Sequence, residues 1–257
     1  MPKQGFVVAI DGPAGTGKSS ATRRLAQALG FVHIDTGALY RSIAFLLLER
    51  EVLDGQSGEG QGGERVLAEE RAVELARSLH LEFKRLPREN PSNRIFADGR
   101  DITALIRSPE VSLMSSRISA IPGVRSALLG LQRRLGCAGN AILEGRDIGT
   151  VVFPDADAKF FLTASVDERA KRRLAEYEAL GADSPSFEEV RTQIIERDRG
   201  DSTRAVAPLR RAEDAVEIDT SLLTLDDVVR AMENEIRQRQ RSAPKSVPQG
   251  TGPRGPV

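Results

Sequence analysis

Residues 12–20 read Gly-Pro-Ala-Gly-Thr-Gly-Lys-Ser-Ser and satisfy G-x-x-x-x-G-K-[ST] at Gly12, Gly17, Lys18 and Ser19. An apolar run, residues 6–10, precedes this segment, and a helical pattern (Ala21, Leu25, Ala28, Leu29) closed by Gly30 follows it. A strand feeding a glycine-rich turn into a helix start is the context in which such a loop binds phosphate. The glycines let several N–H groups point at one anion, and the helix N-terminus adds partial positive charge. Gly12, Pro13, Ala14, Gly15, Thr16, Gly17, Lys18, Ser19 and Ser20 are therefore expected to hold a nucleoside triphosphate. Lys18 would reach the β/γ-phosphates, and the Ser19 hydroxyl would ligate Mg²⁺. A glycine-rich turn matching by chance would lack the strand and the helix in register.

The remaining chain alternates strand-like and helix-like segments, as an α/β sheet requires. Short apolar runs at residues 6–11, 31–35, 140–144, 158–163 and 215–219 predict parallel core strands, which a right-handed winding places with the phosphate loop at their carboxyl end. Ser165 with Glu168, and Ser186 with Glu189, have capping-box form. Thr224 is expected to open a last helix with Leu225, Val228, Val229, Met232 and Ile236 at helical spacing. The glycine-rich residues 54–63 read as a loop before a helix at 64–79, and residues 81–103 as a small antiparallel meander inserted into the main fold. Residues 242–257, rich in Pro, Gly and Ser, predict a disordered tail.

At 257 residues the chain can bury one substantial core with a small appended subdomain. Thirty-seven basic and 37 acidic side chains leave formal net charge zero, with 4% aromatic residues and no tryptophan, so nothing suggests a nucleic-acid partner. A single Cys137, no leader-like start and no membrane-length apolar stretch lead to the expectation of a cytoplasmic protein without membrane association.

Three polar constellations accompany the phosphate loop. Residues 35–41, Asp-Thr-Gly-Ala-Leu-Tyr-Arg, follow the second strand; Thr36 could cap the next helix, and Arg41 projects from its first turns. Residues 144–147, Glu-Gly-Arg-Asp, end the third core strand, where a carboxylate can steady a Mg²⁺–water shell and Arg146 can hold a phosphate bidentately. Residues 196–204 pack three arginines and three acids into nine positions. Such a run is ordinarily a solvated helix end, but before Ala205-Val206-Ala207-Pro208-Leu209 it reads as an arginine-bearing lid. His33, within a strand, and His80, ending a helix, are expected to be structural.

These segments, with the run Gly145 to Pro154 (Gly-Arg-Asp-Ile-Gly-Thr-Val-Val-Phe-Pro), make the chain closely similar to the bacterial cytidylate kinases of the nucleoside monophosphate kinase group. The resemblance covers residues 6–241. It implies a P-loop kinase fold: a five-stranded parallel sheet flanked by helices, an acceptor-binding insert at about 54–110 and a short lid at about 197–205. It also implies γ-phosphoryl transfer from ATP, with Mg²⁺, to CMP or dCMP by a monomer in the cytoplasm. By the same resemblance Lys18, Arg146, Arg197 and Arg204 would serve catalysis. Arg41, Arg146 and Arg204 would grip the acceptor phosphate, and Arg197 and Asp201 would meet the sugar hydroxyls. Ser116, Arg125 and Asp147 would read the cytosine edge, with Thr36 and Tyr40 completing the acceptor site. A carboxylate at Asp147 suits the cytosine amine and repels the uracil oxygen. Two other readings remain open on the residues: another small-molecule kinase of this fold, and a GTPase switch, for which the Asn-Lys-x-Asp run is missing from the sequence.

Overall fold

The computed structural model describes residues 3–54, 62–84, 94–179 and 185–242. The chain opens with β1 (Val7–Asp11), α1 (Lys18–Leu29), β2 (Val32–Asp35) and α2 (Thr36–Asp54). Next come α3 (Gly62–Ser78), then β3 (Leu81–Lys84), β4 (Arg94–Ala97) and β5 (Arg100–Asp101), followed by α4 (Pro109–Ile118) and α5 (Pro122–Cys137). The second half contributes β6 (Ala141–Glu144), β7 (Ala158–Thr163), α6 (Val166–Ala179), α7 (Phe187–Thr203), β8 (Val216–Asp219) and α8 (Leu225–Ser242).

The main sheet has five strands in the order β2-β6-β1-β7-β8, all parallel. Parallel strands need helical crossovers that cover both faces, so the central strands β1 and β6 are buried throughout. On one face Val8, Ile10 and Phe160 pack with Leu25 of α1 and Val228, Met232 and Ile236 of α8; on the other, Val7, Ala9 and Leu143 meet Ile148, Val152 and Phe153. The edge strands β2 and β8 each keep an exposed residue, a departure from the fully buried pattern expected of all five. Because the register aligns Ile10 with Glu144 and Asp35 with Glu144, the carboxyl ends of β1, β2 and β6 meet at one edge.

A second core joins α2, α3, α4 and α5 to the antiparallel sheet β3-β4-β5, confirming the inserted meander. A third cluster, with Ala170 and Tyr177 against Val190 and Ile194, clamps α6 to α7. The expected glycine-rich loop is narrower than the sequence suggests: Asp54 closes α2 and Gly62 already belongs to α3. Its residues 55–61, the meander turn at 85–93 and the tail from 243 onward lie outside the described residues. The Ser186–Glu189 capping box forms in both directions, Ser165 Oγ accepts from the Glu168 N–H, and Thr224 and Asp227 exchange bonds at the start of α8. Among the described residues no helix is long and apolar enough to cross a membrane.

Candidate active site

The phosphate loop curls as its glycines require. Gly12 sits at φ 142°, and a Cβ there would come within 2.1 Å of the Leu162 carbonyl oxygen of β7. Gly17, at φ 83°, caps α1 in the left-handed region, and no side chain blocks the helix's first N–H groups. Lys18 folds back into the loop, its Nζ donating to the Pro13 carbonyl and to Thr16 Oγ1 at 3.3 Å. Burial, with Arg146 beside it, holds this ammonium well below the usual lysine range, while Glu144 and Asp11 pull it up. A bound polyanion at that position would restore the full charge.

Glu144 ends β6 almost fully buried. Its Oε2 accepts from Ser19 Oγ at 2.9 Å, and its Oε1 lies 2.9 Å from His33 Nε2. A hydroxyl and a carboxylate side by side at a phosphate loop form a hard-oxygen donor set that fits Mg²⁺. His33, expected to be structural, meets the carboxylate that stands behind Ser19. Its position between valine and isoleucine on an edge strand gave no local signal of that partner.

A second polar group lies across the same sheet edge. Asp35, at the end of β2, accepts from the Ala38 N–H at 3.1 Å and from Arg41 Nη2 at 2.6 Å. The helix is thus capped by Asp35 and not by Thr36, whose hydroxyl donates 2.7 Å to the Glu144 carbonyl. The nearby Arg41 guanidinium depresses the Asp35 carboxyl below the ordinary range against the cost of burial.

Beyond Glu144 the chain turns through Gly145, Arg146 and Asp147 into a single π-helical turn, Ile148–Val152. Asp147 is 5% exposed. Its Oδ2 pairs with Arg125 Nη2 of α5, and its Oδ1 lies 3.7 Å from Arg204 Nη2. Arg125 also stacks over Tyr40, 5.6 Å from the ring centroid, and burial raises the Tyr40 hydroxyl above its usual range. Ser116 sits half-buried on α4, and its carbonyl accepts from Ser119 Oγ at 2.9 Å.

The charge run at 196–204 is helical to Thr203, so the residues read as a lid form the last turns of α7, and the chain leaves the helix at Arg204. Asp201 is buried and accepts from Arg146 Nε at 3.0 Å, with Arg204 Nη1 3.9 Å away. Arg169 of α6 ties these turns to the phosphate loop by donating 3.3 Å to the Ala14 carbonyl and pairing at 2.7 Å with Asp198. No local motif marked Arg169. Burial and the cations of Arg146, Arg173 and Arg41 push Arg197 down to about 10, so these guanidiniums share one neighbourhood. Among the described residues Arg41 Nε, Arg197 Nε and Arg204 Nη2 are buried without a hydrogen-bond partner. Orphaned cationic donors from separate elements mark a place built for an anion.

A phosphate loop on a β2-β6-β1-β7-β8 parallel sheet, with buried arginine nitrogens lacking hydrogen-bond partners among the described residues, defines a P-loop kinase of small molecules. The model of the family described as "Cytidylate kinase" matches residues 8–238, and the chain belongs to that family. It is 45% identical over 237 residues to the cytidylate kinase of Citrifermentans bemidjiense, covering 92% of this chain and 95% of that one. The cytidylate kinase of Geobacter sulfurreducens is likewise 45% identical, over 242 residues, covering 94% and 97%. A bifunctional pantoate ligase/cytidylate kinase of Synechococcus sp. (strain JA-3-3Ab) is 46% identical over 230 residues, 88% of this chain and 40% of that protein.

Proposed function

We propose that the protein transfers the γ-phosphoryl group of ATP to CMP or dCMP, giving ADP and the cytidine diphosphate. The single observation that carries the acceptor side is the trio of buried, unpartnered guanidinium donors on Arg41, Arg197 and Arg204 around Arg146. A phosphate monoester supplies the acceptor oxygens that such donors lack. Residues 12–20 hold the ATP phosphates, with Lys18 charged by their presence. Ser19, backed by Glu144, would hold Mg²⁺, which neutralises charge on the phosphates when bound. Arg41, Arg146 and Arg204 grip the acceptor phosphate, Arg197 and Asp201 meet the sugar, and Asp147 with Arg125 reads the base. Tyr40 stacks against Arg125, and Thr36 and Ser116 complete the acceptor site.

The protein's own chemistry is positioning and electrostatics. The acceptor oxygen and the γ-phosphorus must be in line while Lys18, Arg146, Arg197 and Arg204 spread the developing charge. The last turns of α7 cover the site, and their closure excludes water that would otherwise take the phosphoryl group. Residues 1–241 are assigned to this kinase unit, with an acceptor-side insert at about 54–110 and the lid at about 197–205. A cytoplasmic monomer suits this role.

The test is ADP release by the purified protein with ATP, Mg²⁺ and each of CMP, dCMP, UMP, AMP and GMP. CMP and dCMP are expected to lead in kcat/KM. A preference for AMP or GMP, or no response to any monophosphate, overturns the reading in favour of another small-molecule kinase of this fold.

A further inference from the structure

The π-helical turn Ile148–Val152 carries a capping arrangement that the reaction itself does not require. Asp147 occupies the N-cap position (φ −144°, ψ 24°), yet its side chain makes no capping hydrogen bond. An aspartate at an N-cap ordinarily folds over the first turn and accepts from the unpaired N–H groups there. Here those groups are taken by a residue far away in sequence. Asp11 Oδ1 accepts from the Ile148 N–H at 2.8 Å, and Asp11 Oδ2 accepts from the Gly149 N–H at 2.7 Å. Asp11 is 4% exposed, Ile148 and Gly149 are buried, and no water can replace it.

Resting on the function proposed above, we propose that Asp11 is the positioning residue for the acceptor base. By capping the turn from the end of β1, it releases the Asp147 carboxylate to face Arg125 and the ligand. Two further features support this. The Gly145 N–H donates to the Ile10 carbonyl at 3.0 Å, so the segment carrying Arg146 is pinned to β1 on both sides of its bend. Gly12, the first phosphate-loop residue, directly follows Asp11. One side chain therefore sets the separation between the donor's phosphate loop and the turn that presents Arg146 and Asp147. Without both acceptor oxygens the unpaired N–H groups would recruit the nearest carboxylate, Asp147, and withdraw it from the base.

The test uses Asp11→Asn, which keeps the shape but turns one acceptor into a donor facing an N–H. Wild type is first assayed with CMP; a wild type inactive on CMP refutes the functional reading and leaves the clamp to be judged by hydrogen exchange alone. In Asp11→Asn, exchange at the Ile148 and Gly149 amides of the free protein is expected to accelerate by about tenfold or more. With CMP active, its KM is expected to rise at least about tenfold while the KM for ATP stays within about threefold, and the CMP-to-UMP ratio of kcat/KM falls. A merely structural role would lower the melting temperature and leave the KM values and that ratio unchanged, which overturns the proposal. Unchanged protection of both amides overturns it as well, whatever the kinetics. If the Asn variant does not fold, Asp11→Glu, one methylene out of register with both N–H groups, is read by the same measures.

Discussion

Asp147→Asn is the substitution for which the structure fixes the sign of the effect most tightly. The Oδ2 position is paired to Arg125 Nη2, and an amide nitrogen placed there would set donor against donor inside a site with Asp147 5% and Arg125 7% exposed. The new side chain must therefore keep its carbonyl toward Arg125 and point its NH2 where Oδ1 now stands, 3.7 Å from Arg204 and, on the function proposed above, toward the base. There it opposes the cytosine amine and matches the uracil oxygen. One unpaired buried polar group costs about 1–3 kcal/mol, equivalent to about 5- to 150-fold in kcat/KM. CMP should lose that factor and UMP should not, so the CMP-to-UMP ratio is expected to fall at least about fivefold. Steady-state ADP release with both acceptors, on protein shown by circular dichroism to be folded, measures it. Arg146→Ala serves as the control: it should weaken all acceptors alike, because its guanidinium addresses phosphate. An unaltered CMP-to-UMP ratio in Asp147→Asn would refute the reasoning and place base recognition elsewhere.

Lys18→Ala is expected to lower turnover by orders of magnitude with the fold intact, because a buried ammonium hydrogen-bonded, among the described residues, to the loop's own Pro13 and Thr16 serves charge neutralisation and not packing; single-turnover kinetics and a melting curve check both halves. Asp198→Asn removes the carboxylate that holds Arg169, and hydrogen exchange in the last turns of α7 should accelerate in the free protein and be restored only in part by CMP plus an ATP analogue. Burial lifts Asp11 to about 6, against its two backbone bonds, with Asp147 adding to the rise and Lys18 opposing it. A carboxyl whose folded pKa lies above its unfolded value near 3.8 favours folding most at low pH, and that advantage is lost as pH rises through the folded value. Relative to Asp11→Asn, the wild type should therefore lose about 1 kcal/mol of unfolding free energy between pH 5 and pH 7, read from urea melts; a flat difference would deny the raised pKa.

Much of this site was legible because local chemistry and local geometry coincide. Gly12, Gly17, Lys18 and Ser19 are adjacent in sequence and act as one loop, so the motif carries its own structural context. Strand runs such as Ala158–Thr163 and the Ser186–Glu189 cap were equally readable, since burial and capping leave marks within a few residues. What escaped depends on separations that the sequence does not encode locally. His33 and Glu144 meet only because β2 pairs with β6, and Arg169 meets Asp198 only because α6 packs on α7. Thr36 was credited with a cap that Asp35 makes, because both are competent cap residues and only the backbone decides between them. The partners of the run 196–204 escaped for a different reason: it is so charged that it carries no apolar stripe, and ion pairs to Arg146 and Arg169 tie it to elements distant in sequence.

The central claim is that this site passes the γ-phosphoryl group to a cytidine monophosphate and not to water. Phosphorus-31 NMR of the protein with Mg²⁺, ATP and CMP observes every product at once. Equal amounts of ADP and CDP are expected to appear together, with no inorganic phosphate and no ATP loss when CMP is left out. ATP consumed to ADP and inorganic phosphate, with CMP untouched, would contradict the account.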